Sequence, residues 1–180
     1  RGRLFKPARA GGLLSVDLTE AELRPLADEF GLDVAAINAP DLCLVSGAKE
    51  ALGRLQARLA EQGVDARRLR IDVAAHSRLL DGILDAFRDG LRGIELRAPN
   101  IPIMSSLTGE WITPQHTLDA DYWVQHLRQP VRFADGLRRL MAELPEAALL
   151  EAGPGQGLGS LARHNGAGAN RAVLASGRKA

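Results

Sequence analysis

Leu13-Leu14-Ser15-Val16-Asp17-Leu18-Thr19-Glu20-Ala21-Glu22 opens the stretch, residues 13–73, whose reading decides the fold. The first six residues form a strand pattern, and Thr19 with Glu22 three positions on is a capping box that starts a helix. That helix sets Leu23, Leu26, Ala27 and Phe30 on one face. Residues 33–39 and Leu42-Cys43-Leu44-Val45 are two short apolar strands joined by Pro40-Asp41, which is turn chemistry. Residues 48–62 repeat the helical period through Leu52, Leu55 and Leu59, with Gly63 as a C-terminal cap. Residues 67–73 alternate as a half-buried strand. The order βαββαβ is that of a split βαβ, ferredoxin-like unit.

Downstream, residues 77–92 carry an amphipathic helix through Leu80, Ile83, Leu84, Phe87 and Leu91, and residues 101–107 read as a strand. Helical patterns return at 119–128 and 133–144. A buried strand at 148–152, a glycine-rich turn, a short helix at 158–163 and a strand at 172–175 complete the chain. Strands alternating with helices predict a parallel α/β sheet, but with too few strands for an independent doubly wound domain. The expected division is 1–12 as the end of a helix of a larger unit, 13–73 as the small unit, and 74–180 as the C-terminal part of the larger one.

Composition narrows the function classes. In 180 residues, 46% hydrophobic content suffices for a sizeable core, and the near-cancelled net charge of +1 gives no nucleic-acid footprint. No run of about eighteen apolar residues is present, so neither membrane insertion nor export is expected and the cytoplasm is the default setting. The single cysteine, Cys43, lies in an apolar run and reads as a buried, inert thiol.

The central chemical candidate is His76 in Val73-Ala74-Ala75-His76-Ser77, at the junction of the two units, where a cleft is favoured and small neighbours permit close approach to the imidazole. A structural histidine or a helix cap by Ser77 competes with that reading. No Gly-x-Ser-x-Gly elbow occurs in the chain. Glu151-Ala152-Gly153-Pro154-Gly155-Gln156-Gly157-Leu158-Gly159 superficially suggests a phosphate cradle, but the glycine spacing is wrong and Pro154 removes a donor, which favours a structural turn. His116, His126 and His164 have no metal-ligand spacing and read as surface or capping residues. Trp111, Tyr122 and Trp123 read as core or seam anchors.

In order along the chain, Arg1-Gly2-Arg3-Leu4-Phe5, Gly12-Leu13-Leu14-Ser15-Val16, Ala36-Ile37-Asn38-Ala39-Pro40, Val45-Ser46-Gly47, Ala74-Ala75-His76-Ser77, Ile101-Pro102 with Ser106-Leu107-Thr108-Gly109, Tyr122-Trp123-Val124, His126-Leu127-Arg128-Gln129-Pro130-Val131-Arg132-Phe133 and Glu151-Ala152-Gly153-Pro154-Gly155 resemble the acyltransferase domains of modular polyketide synthases. The resemblance implies an α/β-hydrolase-like subdomain interrupted by a ferredoxin-like one. It implies transfer of a malonyl-type extender unit from CoA, through an acyl-serine, to the phosphopantetheine thiol of an acyl carrier protein. His76 matches the catalytic histidine. Arg1 matches the arginine that grips the extender's carboxylate, a natural task for a guanidinium fork. The backbone carbonyl of His126 is expected to hold the imidazole's other nitrogen, and Asn38 matches an asparagine near the cleft.

The departures from the family pattern also carry expectations. Serine and oxyanion-hole residues lie upstream of Arg1 in the family, so this stretch is expected to be inactive alone and to need the N-terminal half of the domain and neighbouring synthase domains as partners. A non-catalytic docking or scaffold remnant is the alternative. Val73-Ala74-Ala75-His76 matches neither His-Ala-Phe-His, associated with malonyl selection, nor Tyr-Ala-Ser-His, associated with methylmalonyl. Val73 and Ala75 are thus the expected extender-facing positions, with small Ala75 leaving room for an α-substituent and the reading leaning to malonyl. No cofactor or metal is expected on this chain.

Overall fold

The computed structural model describes Leu4 and residues 11–177. Four strands form an antiparallel sheet: β1 (Gly12–Val16), β2 (Asp33–Ala39), β3 (Leu42–Gly47) and β4 (Ala66–Arg68), in the spatial order β2-β3-β1-β4. Helices α1 (Glu20–Glu29) and α2 (Lys49–Glu61) make the two crossovers. This is the ferredoxin-like arrangement expected of the βαββαβ order. The capping box is present: Thr19 Oγ1 accepts the Glu22 amide at 3.3 Å, and Glu22 Oε2 accepts the Thr19 amide at 3.0 Å.

Alternation along the strands places Leu14, Val16, Cys43 and Val45 on the face that the helices cover, where they meet Leu23, Ala27, Leu52, Leu55 and Leu59. All of these are buried, and burial pushes the Cys43 thiol up to about 11, in keeping with an inert role. Ala134, from a helix far downstream, joins the same core.

The remaining elements are a 3₁₀ turn at Arg78–Ile83, α3 (Leu84–Arg92), α4 (Pro114–Leu118), α5 (Ala120–Arg128), α6 (Phe133–Glu143), β5 (Leu149–Glu151), α7 (Gly157–His164) and β6 (Val173–Ala175). Strands β5 and β6 pair in parallel around the α7 crossover, with Leu149 and Val173 packed on Leu137 and Ala162. Their neighbours Leu150 and Leu174 point away from that core and are 62% and 55% exposed. Among the described residues no helix is long and apolar enough to cross a membrane.

Three expectations are corrected. The last strand of the small unit ends at Arg68, with one more hydrogen bond from the Leu69 amide to the Leu13 carbonyl (3.0 Å), because its partner β1 begins at Gly12 and the ladder runs out. The helix expected over 77–92 is split, its first turns being 3₁₀. Residues 101–107 form no strand, only an isolated bridge between Met104 and Trp111. There Pro102 offers no donor, and Ser105 Oγ takes the Leu107 and Thr108 amides at 3.1 and 3.2 Å, folding the chain into a turn. The expected helix end at 1–12 lies, apart from Leu4, Gly11 and Gly12, outside the described residues, and Gly12 itself opens β1.

Leu52 tests the core. Leu52→Ala is expected to cost about 2–5 kcal/mol, read as a lower urea midpoint with an unchanged slope.

Candidate active site

His76 sits in a tight turn between β4 and the 3₁₀ segment, with φ of +56°. Histidine tolerates this left-handed region better than most residues, but such backbones still cost on the order of 1–3 kcal/mol and persist only where the surroundings hold them. Here the surroundings do. Ser77 Oγ donates to the Ala74 carbonyl at 2.8 Å and accepts the Leu79 amide at 3.3 Å, so Ser77 caps the following turn as its sequence position suggests. Ala74 is buried against Gly11, where an added Cβ would come within 2.5 Å of the Ala74 Cβ. Only glycine fits there, and the turn is fixed from below.

The imidazole is held from across the seam. His76 Nδ1 lies 2.8 Å from the Gln129 carbonyl oxygen. A carbonyl can only accept, so Nδ1 carries the proton and the neutral ring keeps its lone pair on Nε2. His126 is the residue expected to supply this carbonyl, and the structure corrects that. His126 lies within α5 and its ring Nε2 meets Ser106 Oγ at 2.9 Å. Gln129 is the first residue beyond the helix. Pro130 disfavours helical backbone in the residue before it, and Gln129 adopts φ −82° and ψ 161°, which turns its carbonyl out of the helix direction.

The residues on either side of Gln129 are equally committed. Arg128 reaches Asp33 at the start of β2 (Nη2 to Oδ1, 3.2 Å) and Asp81 in the 3₁₀ segment (Nε to Oδ1, 2.6 Å). Val131 bridges β2: its amide donates to the Ala35 carbonyl at 2.9 Å, and its own carbonyl accepts the Ile37 amide at 2.8 Å. Arg132 binds Glu20 of α1 through both guanidinium ends, at 3.0 and 3.4 Å, while its amide donates to the Ser106 carbonyl. Four of these five consecutive residues thus fasten the ferredoxin-like unit and the His76 turn to the later helices at the point where the histidine is held.

Asp33 is gripped from two sides. Besides Arg128, the Arg78 amide (2.9 Å) and Nε (3.0 Å) donate to its Oδ2. Burial raises its pKa, but hydrogen bonds from the Arg78 side chain and amide and the charges of Arg128 and Arg78 outweigh that, leaving the carboxyl below its usual value.

Of the other expected site residues, Val73 and Ala75 are half-buried on the His76 turn. Asn38, near the end of β2, has its carbonyl held by Asn165 Nδ2 at 2.7 Å, which ties it to α7. Arg1 lies outside the described residues. The glycine-rich turn is occupied by the protein's own anion: the Glu151 carboxylate accepts the Leu158 and Gly159 amides at 3.2 and 2.9 Å, at the N-terminus of α7. This is the structural turn expected there. His116 caps α4 with Thr113, and His164 pairs with Asp41 at 2.7 Å. Tyr122 is buried, its hydroxyl 2.7 Å from Ser105 Oγ, and Trp123 Nε1 donates to the Thr117 carbonyl at 3.0 Å, so both act as anchors.

A turn-borne histidine fixed by a backbone carbonyl beside a ferredoxin-like sheet is the arrangement at this site, and comparison with known proteins identifies the family. The acyl transferase domain family matches residues 1–156. A putative inactive phenolphthiocerol synthesis polyketide synthase of Mycobacterium tuberculosis is 40% identical over 159 residues, 88% of this chain and 10% of that protein. The polyketide synthase GfsA of Streptomyces halstedii is 39% identical over 151 residues, 82% of this chain and 2% of that protein. Among solved structures, the acyl transferase domain of SpnD, in complex with 2-(pent-4-yn-1-yl)malonyl, superposes with a TM-score of 0.91 at 40% identity over 99% of this chain and 43% of that one. The acyltransferase domain from the second module of the salinomycin polyketide synthase gives 0.88 at 37% identity, over 99% of this chain and 42% of that one. The chain belongs to the acyl transferase domain family. It spans a tenth or less of the length of these synthases.

Because the folded-state pKa of Asp33 is lowered from 3.8, its contribution to stability is complete above the unfolded value and is lost as pH falls through the folded one. The urea-midpoint gap between wild type and Asp33→Asn is therefore expected to be widest near pH 7 and to shrink below about pH 4. A gap independent of pH would show that the carboxylate's charge plays no part.

Proposed function

We propose that this chain is the histidine-bearing part of a polyketide synthase acyltransferase, which passes a malonyl-type unit from CoA to the phosphopantetheine thiol of an acyl carrier protein. The observation that carries the reading is the 2.8 Å contact between His76 Nδ1 and the Gln129 carbonyl, which leaves Nε2 as the base. No Gly-x-Ser-x-Gly elbow lies in the 180 residues, so in this reading a further segment of the synthase supplies the serine. The exposed apolar face of the β5–β6 pair supports such a neighbour, since parallel strands are ordinarily covered on both faces.

The chemistry follows from the tautomer. Nε2 takes the serine proton as the oxygen attacks the thioester carbonyl, the C–S bond breaks, and the same proton passes to the departing CoA sulfur. In the second half the carrier thiol gives its proton to Nε2 and its sulfur attacks the acyl-serine ester; the serine oxygen leaves and recovers the proton. The Gln129 carbonyl stabilises the imidazolium present between these steps. Arg1 is assigned to the extender's carboxylate, and Val73, Ala75 and Asn38 to the pocket around the acyl unit. Partners are the acyl-CoA, the carrier protein and the rest of the synthase. The reaction asks no cofactor of this chain, and its setting is the cytoplasm.

In the domain that includes the serine, His76→Ala is expected to abolish the mass increase from incubation with malonyl-CoA, by a factor of about 10² or more in acylation rate. Arg1→Ala is expected to leave acylation intact while reducing the preference for carboxylated over plain acyl-CoA. Full acylation by the His76 variant would sink the assignment, and a wild-type domain that is never acylated would favour a docking remnant.

A further inference from the structure

Asp33 lies on the first position of β2, remote in sequence from both members of the His76–Gln129 hydrogen bond, yet one carboxylate holds the two chain segments that carry them. Its Oδ2 receives the amide and Nε of Arg78, two residues after His76. Its Oδ1 receives Arg128, one residue before Gln129, and Arg78 Nη2 further donates to the Leu32 carbonyl at 3.2 Å. The Asp33 side chain is only 14% exposed and that of Arg128 21%, so water competes weakly for these bonds. Asp81 completes the arrangement by gripping Arg128 from the 3₁₀ segment that follows His76.

We infer that Asp33 is a positioning residue: it fixes the separation of the His76 turn from the Gln129 carbonyl and so keeps the catalytic imidazole in its Nδ1–H tautomer. The turn needs such support, because His76 holds a left-handed backbone that relaxes if its flanks loosen. Two features make the carboxylate hard to replace. It offers two acceptor oxygens where asparagine offers one, so an asparagine gives up either the Arg78 amide and Nε bonds made at Oδ2 or the Arg128 bond and the longer Arg78 Nη2 contact (3.4 Å) made at Oδ1. It is also anionic between two guanidinium groups, and an amide removes the charge that Arg78 and Arg128 share, with Asp81 still paired to Arg128. The inference rests on the acyltransferase reading for its effect on rate, but not for its effect on the ring.

The test therefore has two readouts. On the chain itself, ¹⁵N correlation spectra of the His76 ring report the tautomer, and both partners of the hydrogen bond lie within this chain. Wild type is expected to show Nδ1–H alone, and a folded Asp33→Asn variant a mixture with Nε2–H. In the serine-containing domain the same variant is expected to lose at least about tenfold in the kcat of serine acylation with KM for the acyl-CoA nearly unchanged. A folded variant with the wild-type tautomer overturns the inference, whatever its rate. A tautomer shift in a domain whose wild type is never acylated upholds the inference and overturns the functional reading instead. If Asp33→Asn does not fold, Arg78→Gln and Asp81→Asn each release one arm and are expected to give partial mixtures; wild-type tautomer and kcat in both would overturn it.

Discussion

The segment 128–132 is the constraint on which the rest of the structure depends. Within it, Arg128 forms an ion pair with Asp33, Gln129 presents a carbonyl to His76, Val131 adds a parallel bridge to the edge of the small sheet, and Arg132 binds Glu20. The local cause is Pro130. It ends α5 and extends Gln129, which turns the Gln129 carbonyl out of the helix direction. That carbonyl then meets the histidine, and Val131, two residues on, bridges to β2. Among the described residues, the ferredoxin-like unit and the later helices also share Ala134 in the core, Asn165 Nδ2 on the Asn38 carbonyl and His164 on Asp41, but these lie away from the imidazole's own hydrogen bond.

Much of the architecture is legible in the sequence because period and capping agree over residues 13–62. The Thr19–Glu22 box, the Pro40-Asp41 turn and the Leu52, Leu55, Leu59 stripe all place their elements correctly. Legibility fails where structure is decided by partners distant in sequence. The strand after Ala66 stops because β1 stops, and 101–107 folds as a turn because Ser105 takes amides that a strand would have offered to a neighbour. Periodicity cannot register either event. His76 itself stands out by its junction position and small neighbours. Its supporting carbonyl is expected three residues too early, although Gln129-Pro130 carries the needed signal, since a residue before proline leaves the helix. Asp33, Arg78 and Arg128 carry no signal at all, being ordinary charged residues until the fold brings them together.

Several polar groups away from the His76–Gln129 contact brace the chain. Glu151 turns the glycine-rich loop inward by satisfying the first amides of α7 with its own carboxylate, which fills with protein the place a phosphate would take. Ser105, Ser106, Tyr122 and His126 fasten the 104–111 loop to α5, and Gly109, at φ +73°, lets that loop lie against Asp135, where a Cβ would come within 2.7 Å. These bonds brace α5 and the start of α6, the two helices that flank the clamp, so the site is held by a rigid frame on its later side and a sheet edge on its earlier one.

Amide hydrogen exchange at Ile37 and Val131 tests most directly whether the clamp welds the two regions into one body. Their N–H groups form the bridge to the Val131 and Ala35 carbonyls. If the clamp joins the regions, both exchange as slowly as Val45 and Leu14 in the sheet centre and open only with global unfolding. Exchange at Ile37 and Val131 faster by orders of magnitude, with the sheet centre still protected, would mean that the two regions part independently and that the His76–Gln129 contact is not maintained by the fold.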